Sequence, residues 1–199
     1  MDDPFAPGAL PAAAFRRVAR DGAAFVPRAV RAPFIRRLVP ELASLRFEPA
    51  PPEVGEVRQE TEASTLPRGL AGFPATASLG RALVAAAMAS GVRGLRTWRP
   101  NEVVVQRYAP DALGITSHRD GKRFRRLVAV LTLEGRARFA IRRERHGEVL
   151  AGWDVGPGDV VLMRGPGLGG VRDGRPFHEV SGPHEGARSS VAFRMDAGR

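Results

Sequence analysis

The sequence predicts an α+β fold, in which a layer of N-terminal helices packs on a core of short antiparallel strands. Apolar residues recur every three or four positions in the first half of the chain, as in amphipathic helices. The second half holds short segments rich in β-branched and aromatic residues, separated by Gly, Pro or Asp. At 199 residues and 43% hydrophobic composition, the chain can bury one sizeable core. We therefore expect a single domain over residues 1–199, with a helical layer in 1–100 and a β core in 101–195.

Three helices are expected in the N-terminal layer. Residues 13–20 and 33–45 carry apolar side chains at helical spacing, and Pro33 suits the first turn of the second helix. Residues 79–90 are rich in Ala and stop at Gly91. Pro and Gly interrupt residues 47–74, which predicts a long irregular segment. We interpret this segment as a lid over a substrate.

The β core is expected to be an antiparallel sandwich or barrel. Its strands follow one another without intervening helical patterns, which disfavours βαβ units. The predicted strands span residues 102–108, 127–133, 136–142, 159–163, 177–180 and 189–195.

Composition excludes several classes of site and location. The sequence contains no Cys, so disulfides, thiolate metal sites and Cys nucleophiles are excluded. No apolar run approaches the roughly 20 residues that cross a bilayer, and the first residues lack the pattern of a secretory signal. We expect a cytoplasmic monomer without a membrane segment, in which His and carboxylate side chains would hold any metal ion.

The net charge of +10 indicates a polyanionic partner such as nucleic acid. All but one of the 31 basic residues are Arg, and a GC-rich codon supply explains that preference without binding. Codon supply does not explain the excess of basic over acidic residues. Residues 119–145 alone contain ten basic and three acidic residues. This stretch fits either a solvated outer sheet face or a surface that follows phosphates.

The candidate metal ligands are His118, Asp120 and His178. His118 and Asp120 are two positions apart, so in an extended strand both side chains point to one face. His178 lies on a later predicted strand, and a folded sheet can bring it to the same point. Two His and one carboxylate form the facial set that leaves positions open on Fe(II). The His-x-Asp spacing alone also fits an exposed turn.

Two other His residues are alternative ligands. His184 lies in a turn beside Pro183, where rigid placement is harder than on a strand, so His178 is preferred. His146 lies in a polar turn and fits a solvated loop residue. The Gly-rich run 165–170 lacks the Gly-Lys-Ser/Thr of a phosphate loop, and we expect a flexible loop beside the metal.

A second set of candidates lies on the last predicted strand. Arg188 and Arg194 are an even number of positions apart, so both face one side of the strand together with Ser190. Two cations on an inward face are unfavourable unless an anion meets them. A dicarboxylate ligand would supply that anion.

The order of these motifs resembles that of the AlkB-like Fe(II)/2-oxoglutarate dioxygenases, over about residues 101–195. The resemblance rests on Gln106-Arg107-Tyr108-Ala109-Pro110, His118-x-Asp120, Gly158-Asp159-Val160-Val161, His178 and Arg188-x-Ser190-x-x-x-Arg194. Each motif is weak alone, and their combination is specific. The resemblance implies a double-stranded β-helix (jelly-roll, cupin-like) core with the iron near one mouth.

The resemblance also implies Fe(II) as cofactor, with 2-oxoglutarate and O2 as cosubstrates. His118, Asp120 and His178 would hold the iron. The residues that would bind 2-oxoglutarate are Arg188, Ser190, Arg194, Tyr108 and Gln106. Of these, Gln106 departs from the family, which usually has Asn two residues before the Tyr.

The substrate implied first is an alkylated base in DNA or RNA, single-stranded or flipped out of the duplex. Lys122 departs from this pattern, because members that repair nucleobases often carry an acidic residue there, and Met163 replaces a common aromatic residue. The residues assigned to substrate are Arg119, Lys122, Arg136 and Arg138. The alternatives are hydroxylation of a small molecule or peptide on the same scaffold, and a non-catalytic barrel that binds metal or nucleic acid.

Overall fold

The computed structural model describes residues 3–198, and three α-helices in that range form a layer on one side of the β core. They are α1 (Ala12–Asp21), α2 (Ala32–Ala43) and α3 (Pro74–Ala89). Each buries an apolar stripe, as Phe15 and Val18 of α1 illustrate. None of the helices in these residues has the length and apolar character needed to span a bilayer.

Helix α3 begins five residues earlier than the sequence pattern predicts. Pro74 occupies its first turn, where a missing N–H costs nothing. The carboxylate of Glu41, on α2, accepts hydrogen bonds from the backbone N–H groups of Ala75 and Thr76 at 2.7 and 2.8 Å. Because this cap comes from another helix, the local sequence does not reveal it.

The strands form two antiparallel sheets. In chain order they are β1 (Ala23–Val26), β2 (Glu48–Pro49), β3 (Glu53–Val54), β4 (Val57–Glu60), β5 (Glu62–Thr65), β6 (Glu102–Tyr108), β7 (Gly114–His118), β8 (Phe124–Glu134), β9 (Ala137–Arg142), β10 (Val149–Val155), β11 (Val160–Arg164), β12 (Phe177–Pro183) and β13 (Arg188–Asp196). The seven-stranded sheet has the order β1-β11-β8-β13-β6-β5-β2, and the six-stranded sheet has the order β10-β9-β12-β7-β4-β3.

The two sheets divide the apolar core. The larger cluster lies between the helices and the seven-stranded sheet and includes Leu38 of α2, Leu162 of β11 and Phe193 of β13. The smaller cluster lies between the sheets and joins Val128 and Phe139, among others. This is the double-stranded β-helix core with packed N-terminal helices that the sequence predicts.

The segment 47–74 is not the irregular stretch that the sequence predicts. It contains β2 to β5, which add to the edges of both sheets by pairing with β6 and β7. Short strands flanked by Pro are typical of sheet edges, and they lack a periodic signal. The strands predicted from the sequence also omit β1, β7 and β10.

Candidate metal centre

The pairing of β7 with β12 places two His side chains side by side. His118 and His178 are direct partners in this antiparallel pair, and their ring centroids lie 4.2 Å apart. Gly114, at the start of β7, allows the strands to approach closely. Its φ is +88°, and a Cβ there would lie 2.1 Å from the carbonyl oxygen of Val180.

Asp120 completes the group from just beyond the end of β7. The strand ends at His118, so Asp120 does not lie in an extended strand as the spacing argument assumed. The ligand atoms of His118, Asp120 and His178 nevertheless all lie within 4.8 Å of one another. No other group of three or more potential ligands occurs in residues 3–198. Two His and one carboxylate suit Fe(II).

Backbone carbonyls orient both imidazoles. The Nδ1 atom of His118 lies 2.9 Å from the carbonyl oxygen of Thr116, and Nδ1 of His178 lies 3.4 Å from that of Pro176. An Nδ1–H that donates to a carbonyl leaves Nε2 as the metal ligand. Burial, with a further contribution from the nearby His118, lowers the pKa of His178 to about 4. The ring is therefore neutral at pH 7, the form that binds metal.

Arg175 is a functional candidate that the sequence argument missed. Its Nη1 donates a hydrogen bond to the backbone carbonyl of Asp120. Its Nε and Nη2 donate to the two carboxylate oxygens of Asp173 at 2.8 Å each, and this pairing lowers the pKa of Asp173. Asp173 thus fixes the guanidinium, which in turn fixes the backbone of a metal ligand. The available signal is an Asp and an Arg two positions apart, just before the strand of His178.

A cavity of about 190 Å³ between the sheets contains the metal candidates and every residue assigned to 2-oxoglutarate. The predicted residues along its wall are Gln106, Tyr108, His118, Asp120, His178, Arg188, Ser190 and Arg194. The apolar part of the wall includes Met163, where the family often carries an aromatic residue, together with Val128, Val130 and Phe139, to which the sequence did not point. Phe139 stacks on the ring of His178 at 5.7 Å.

Arg188 is a buried cation without a carboxylate partner among the described residues. Its residue is 2% exposed, and its Nε has no hydrogen-bond partner. Among the described residues the guanidinium has only hydroxyl partners: Ser190 Oγ at 3.4 Å, Thr132 Oγ1 at 3.2 Å and the phenol of Tyr108. The guanidinium lies 5.1 Å from the ring centroid of Tyr108. Buried charges are normally paired, so the cavity fits a ligand carboxylate at this point.

Burial shifts both ionisable groups at this end of the cavity. It raises the pKa of the Tyr108 phenol and lowers that of the Arg188 guanidinium. The phenol is neutral at pH 7, and a guanidinium stays charged in proteins. Both groups therefore offer donors to an anion.

Arg194 differs from Arg188, because its charge is already balanced. Its Nη2 lies 2.7 Å from the carboxylate of Glu102, its partner across β6 and β13. It lines the cavity, but a buried carboxylate holds it.

The structure does not bring the predicted substrate residues to the cavity wall. Arg138 is exposed on the outer face of β9, opposite Phe139. Arg136 precedes β9 at the end away from His178 and lies 3.5 Å from Asp154. Both placements correct the expectation that these arginines flank the active site.

The other two substrate candidates lie closer to the metal ligands. Arg119 follows His118 directly, and its guanidinium covers the ring of Phe177 at 4.1 Å. Lys122 is exposed in the connection that follows Asp120. These two side chains are the remaining candidates for contact with a charged substrate.

The alternative His ligands lie elsewhere. His184 is near Asp154, at 3.5 Å, beyond the far end of β12. His146 lines a separate depression on the outer face of the six-stranded sheet.

The loop 165–170 packs against the helical layer instead of the metal group, because Leu168 is buried and Gly169 donates to the carbonyl of Arg93.

Comparisons with known proteins identify the fold. No protein-family model matches the sequence, and no curated protein matches it. Among solved structures, a Pseudomonas putida prolyl-4-hydroxylase matches with a TM-score of 0.64 at 20% identity, over 93% of this chain and 98% of that one. A Burkholderia pseudomallei oxidoreductase of the 2OG-Fe(II) oxygenase family matches with a TM-score of 0.60 at 15% identity, over 97% and 92%. OsALKBH1 matches with a TM-score of 0.60 at 16% identity, over 87% and 97%. The chain has the fold of the 2-oxoglutarate/Fe(II) oxygenases.

We predict that Arg175→Met weakens metal binding about 10-fold or more, because the backbone of Asp120 loses its guanidinium anchor. Anaerobic titration with Fe(II) or Mn(II) measures the affinity. Arg172→Met removes an exposed arginine from the same segment and should leave the affinity unchanged. Arg175→Lys keeps the positive charge but not the planar guanidinium that donates several hydrogen bonds at once. It should therefore restore only part of the metal affinity. Equal affinity in wild type and Arg175→Met would contradict the role of Arg175.

Proposed function

We propose that the chain is an Fe(II)/2-oxoglutarate-dependent dioxygenase. The observation that carries this proposal is the buried guanidinium of Arg188, which shares one small cavity with the His-Asp-His group. Metal ligands alone would fit many binding proteins. Arg188 is a buried cation that has hydroxyl partners and no carboxylate partner in residues 3–198. Such a charge is stabilised by a bound carboxylate, so the cavity fits an organic acid next to the metal ligands.

Each part of the cavity has a separate task in this proposal. His118, Asp120 and His178 hold Fe(II). Arg188 and Tyr108 donate to the far carboxylate of 2-oxoglutarate and so fix its position relative to the metal. The apolar wall keeps water from the reacting centre.

The chemistry supplied by bound Fe(II), 2-oxoglutarate and O2 is conversion of a C–H bond to C–OH, while 2-oxoglutarate loses CO2 and becomes succinate. Where the oxidised carbon is an N-methyl group, the hydroxylated product releases formaldehyde and leaves N–H. The position of the metal group in a cavity between two sheets requires a nucleobase to be single-stranded or flipped.

We propose an alkylated nucleobase in DNA or RNA as the substrate. Support comes from the net charge of +10, from the exposed side chains of Arg119 and Lys122 on either side of Asp120, and from the fold shared with OsALKBH1. Only part of the basic stretch 119–145 supports this. Arg142, Arg143 and others in it form ion pairs with carboxylates of the chain.

Hydroxylation of a peptide or small molecule is the second candidate. The prolyl-4-hydroxylase with the same fold favours it. Lys122 also suits the carboxylate of an acidic substrate. At this position members of the AlkB-like family that repair nucleobases often carry an acidic residue, so the charge here is reversed. A cytoplasmic location and a monomeric state remain part of the proposal.

We predict that Arg188→Met raises the KM for 2-oxoglutarate at least about 100-fold, because two charge-assisted hydrogen bonds of roughly 1.5–3 kcal/mol each are lost. Succinate formation at varied 2-oxoglutarate measures the KM. Fe(II) affinity should not change. The Tm of the ligand-free variant should stay equal or rise, since Met fills similar volume without an unpaired buried charge. Arg138→Met is the control on the outer face, and a wild-type KM in Arg188→Met would refute the assignment.

We predict formaldehyde release from methylated single-stranded DNA or RNA, measured beside free methylated nucleosides and a prolyl peptide. Binding to the oligonucleotide should weaken as salt rises, and Lys122→Glu should reduce the salt slope by about one unit or more. Arg138→Glu makes the same change in charge away from the cavity. Peptide hydroxylation without formaldehyde would favour the second candidate. No succinate under any condition, with iron bound, would indicate a non-catalytic barrel.

A further inference from the structure

A second cavity, of about 500 Å³, lies on the other side of the seven-stranded sheet from the metal group. Val103 of β6 and Phe193 of β13 line it. The residues before and after Phe193 in β13, Ala192 and Arg194, line the metal cavity instead. Because adjacent residues of a strand face opposite sides, the sheet itself separates the two cavities.

The wall of this cavity is mainly apolar. It is formed by α3, by the segment 66–70 and by the sheet, and its apolar side chains are Leu66, Leu70, Val84, Met88, Val103 and Phe193. At Gly80, α3 approaches the sheet so closely that a Cβ would lie 3.2 Å from the ring of Phe193. Met88 is 42% exposed at the opening. The volume falls in the range of small-molecule sites, about 300–1,000 Å³.

The charge at the opening has one sign. Arg68, Arg81 and Arg99 line the cavity, and no Asp or Glu does so among the described residues. All three arginines are exposed residues. The Nη1 of Arg99 donates to the backbone carbonyls of Arg96 and Trp98 at 3.1 and 2.8 Å, which holds this guanidinium in place and leaves its Nε and Nη2 to face an anion. The amide of Asn101, also in the wall, exchanges hydrogen bonds with the backbone of Asp196. The cavity therefore combines an apolar interior with guanidinium groups that bind carboxylates in pairs of hydrogen bonds.

The segment that forms one wall is held in an unusual conformation. Leu70 has a φ of +55°, in a region that residues other than Gly rarely adopt, and the nearby Gly69 and Gly72 have φ values of +76° and +84°. Backbone hydrogen bonds hold this turn: Leu70 N–H donates to Pro67, and Phe73 N–H donates to Leu70. Strain of this kind is retained where the surroundings fix a side chain in place. Here it turns Leu70 into the cavity wall.

We propose that this cavity binds a free medium-chain carboxylate, with the hydrocarbon chain against α3 and the sheet and the carboxylate at Arg68 and Arg99. This ligand matches both features, because neutral apolar molecules would not use the cationic rim and small polar anions would not use the apolar wall. The site is independent of the metal group, so its occupant is neither the cosubstrate nor the oxidised substrate of the proposed reaction.

Titration calorimetry of the full chain with hexanoate, octanoate and decanoate, each below its micelle concentration, tests this proposal. The affinity should increase by about fourfold for each methylene that enters the cavity. Decanol, which has no charge, should bind at least 10-fold more weakly than decanoate. Absence of decanoate binding at millimolar concentration would overturn the proposal, as would equal binding of decanol or binding only to anionic phospholipid vesicles.

Variants locate the binding. Val84→Trp should abolish decanoate binding by filling the cavity, and Arg68→Glu should weaken it at least 10-fold by repelling the carboxylate. Arg138→Glu makes the same charge change elsewhere and should have no effect. Circular dichroism checks folding, and if Val84→Trp does not fold, the exposed Arg68→Glu decides the outcome.

The Arg188→Met variant separates this site from the metal cavity, which also offers a guanidinium to carboxylates. Decanoate binding should be unchanged in this variant. Binding that depends on Arg188 and not on Arg68 would place decanoate in the metal cavity and overturn the proposal.

Discussion

The register between β7 and β12 is the constraint on which the metal group depends. It sets His118 opposite His178, although the two residues are far apart in the sequence. Side chains alternate along a strand, so a slip of one residue in β12 would turn His178 outward and bring Glu179 to the inner face. The close approach at Gly114 maintains this register, and Arg175 then holds the backbone that carries Asp120.

The two sheets contribute different halves of the site. The six-stranded sheet supplies both His ligands, whereas the seven-stranded sheet supplies Tyr108, Arg188 and Ser190. Apolar packing between the sheets therefore sets the distance between the His ligands and the guanidinium of Arg188. The unpaired charge of Arg188 reduces the stability of the free protein, and a bound carboxylate would recover it. Stability and cosubstrate binding are thus linked through one side chain.

The sequence predicts the fold class, the three helices, the main strands and the metal-ligand and 2-oxoglutarate candidates that line the metal cavity. These predictions are correct because they depend on residues close together in the sequence, such as a helical or alternating pattern or the motif His118-x-Asp120. What it misses depends on distant contacts. The edge strands within 47–74 form only by pairing with β6 and β7, and Arg175 is recognisable only once Asp120 lies beside it. The sequence left the basic stretch 119–145 as either a solvated outer sheet face or a surface that follows phosphates, and only the structure shows that Arg138 lies on an outer face turned away from the metal group.

The proposed function requires the simultaneous binding of Fe(II) and 2-oxoglutarate in one cavity. Anaerobic addition of 2-oxoglutarate to the Fe(II)-loaded protein, followed by visible absorption spectroscopy, tests this directly. Chelation should produce a charge-transfer band that saturates at one equivalent, and acetate should not produce it. A protein with iron bound and no such band at saturating 2-oxoglutarate would contradict the account.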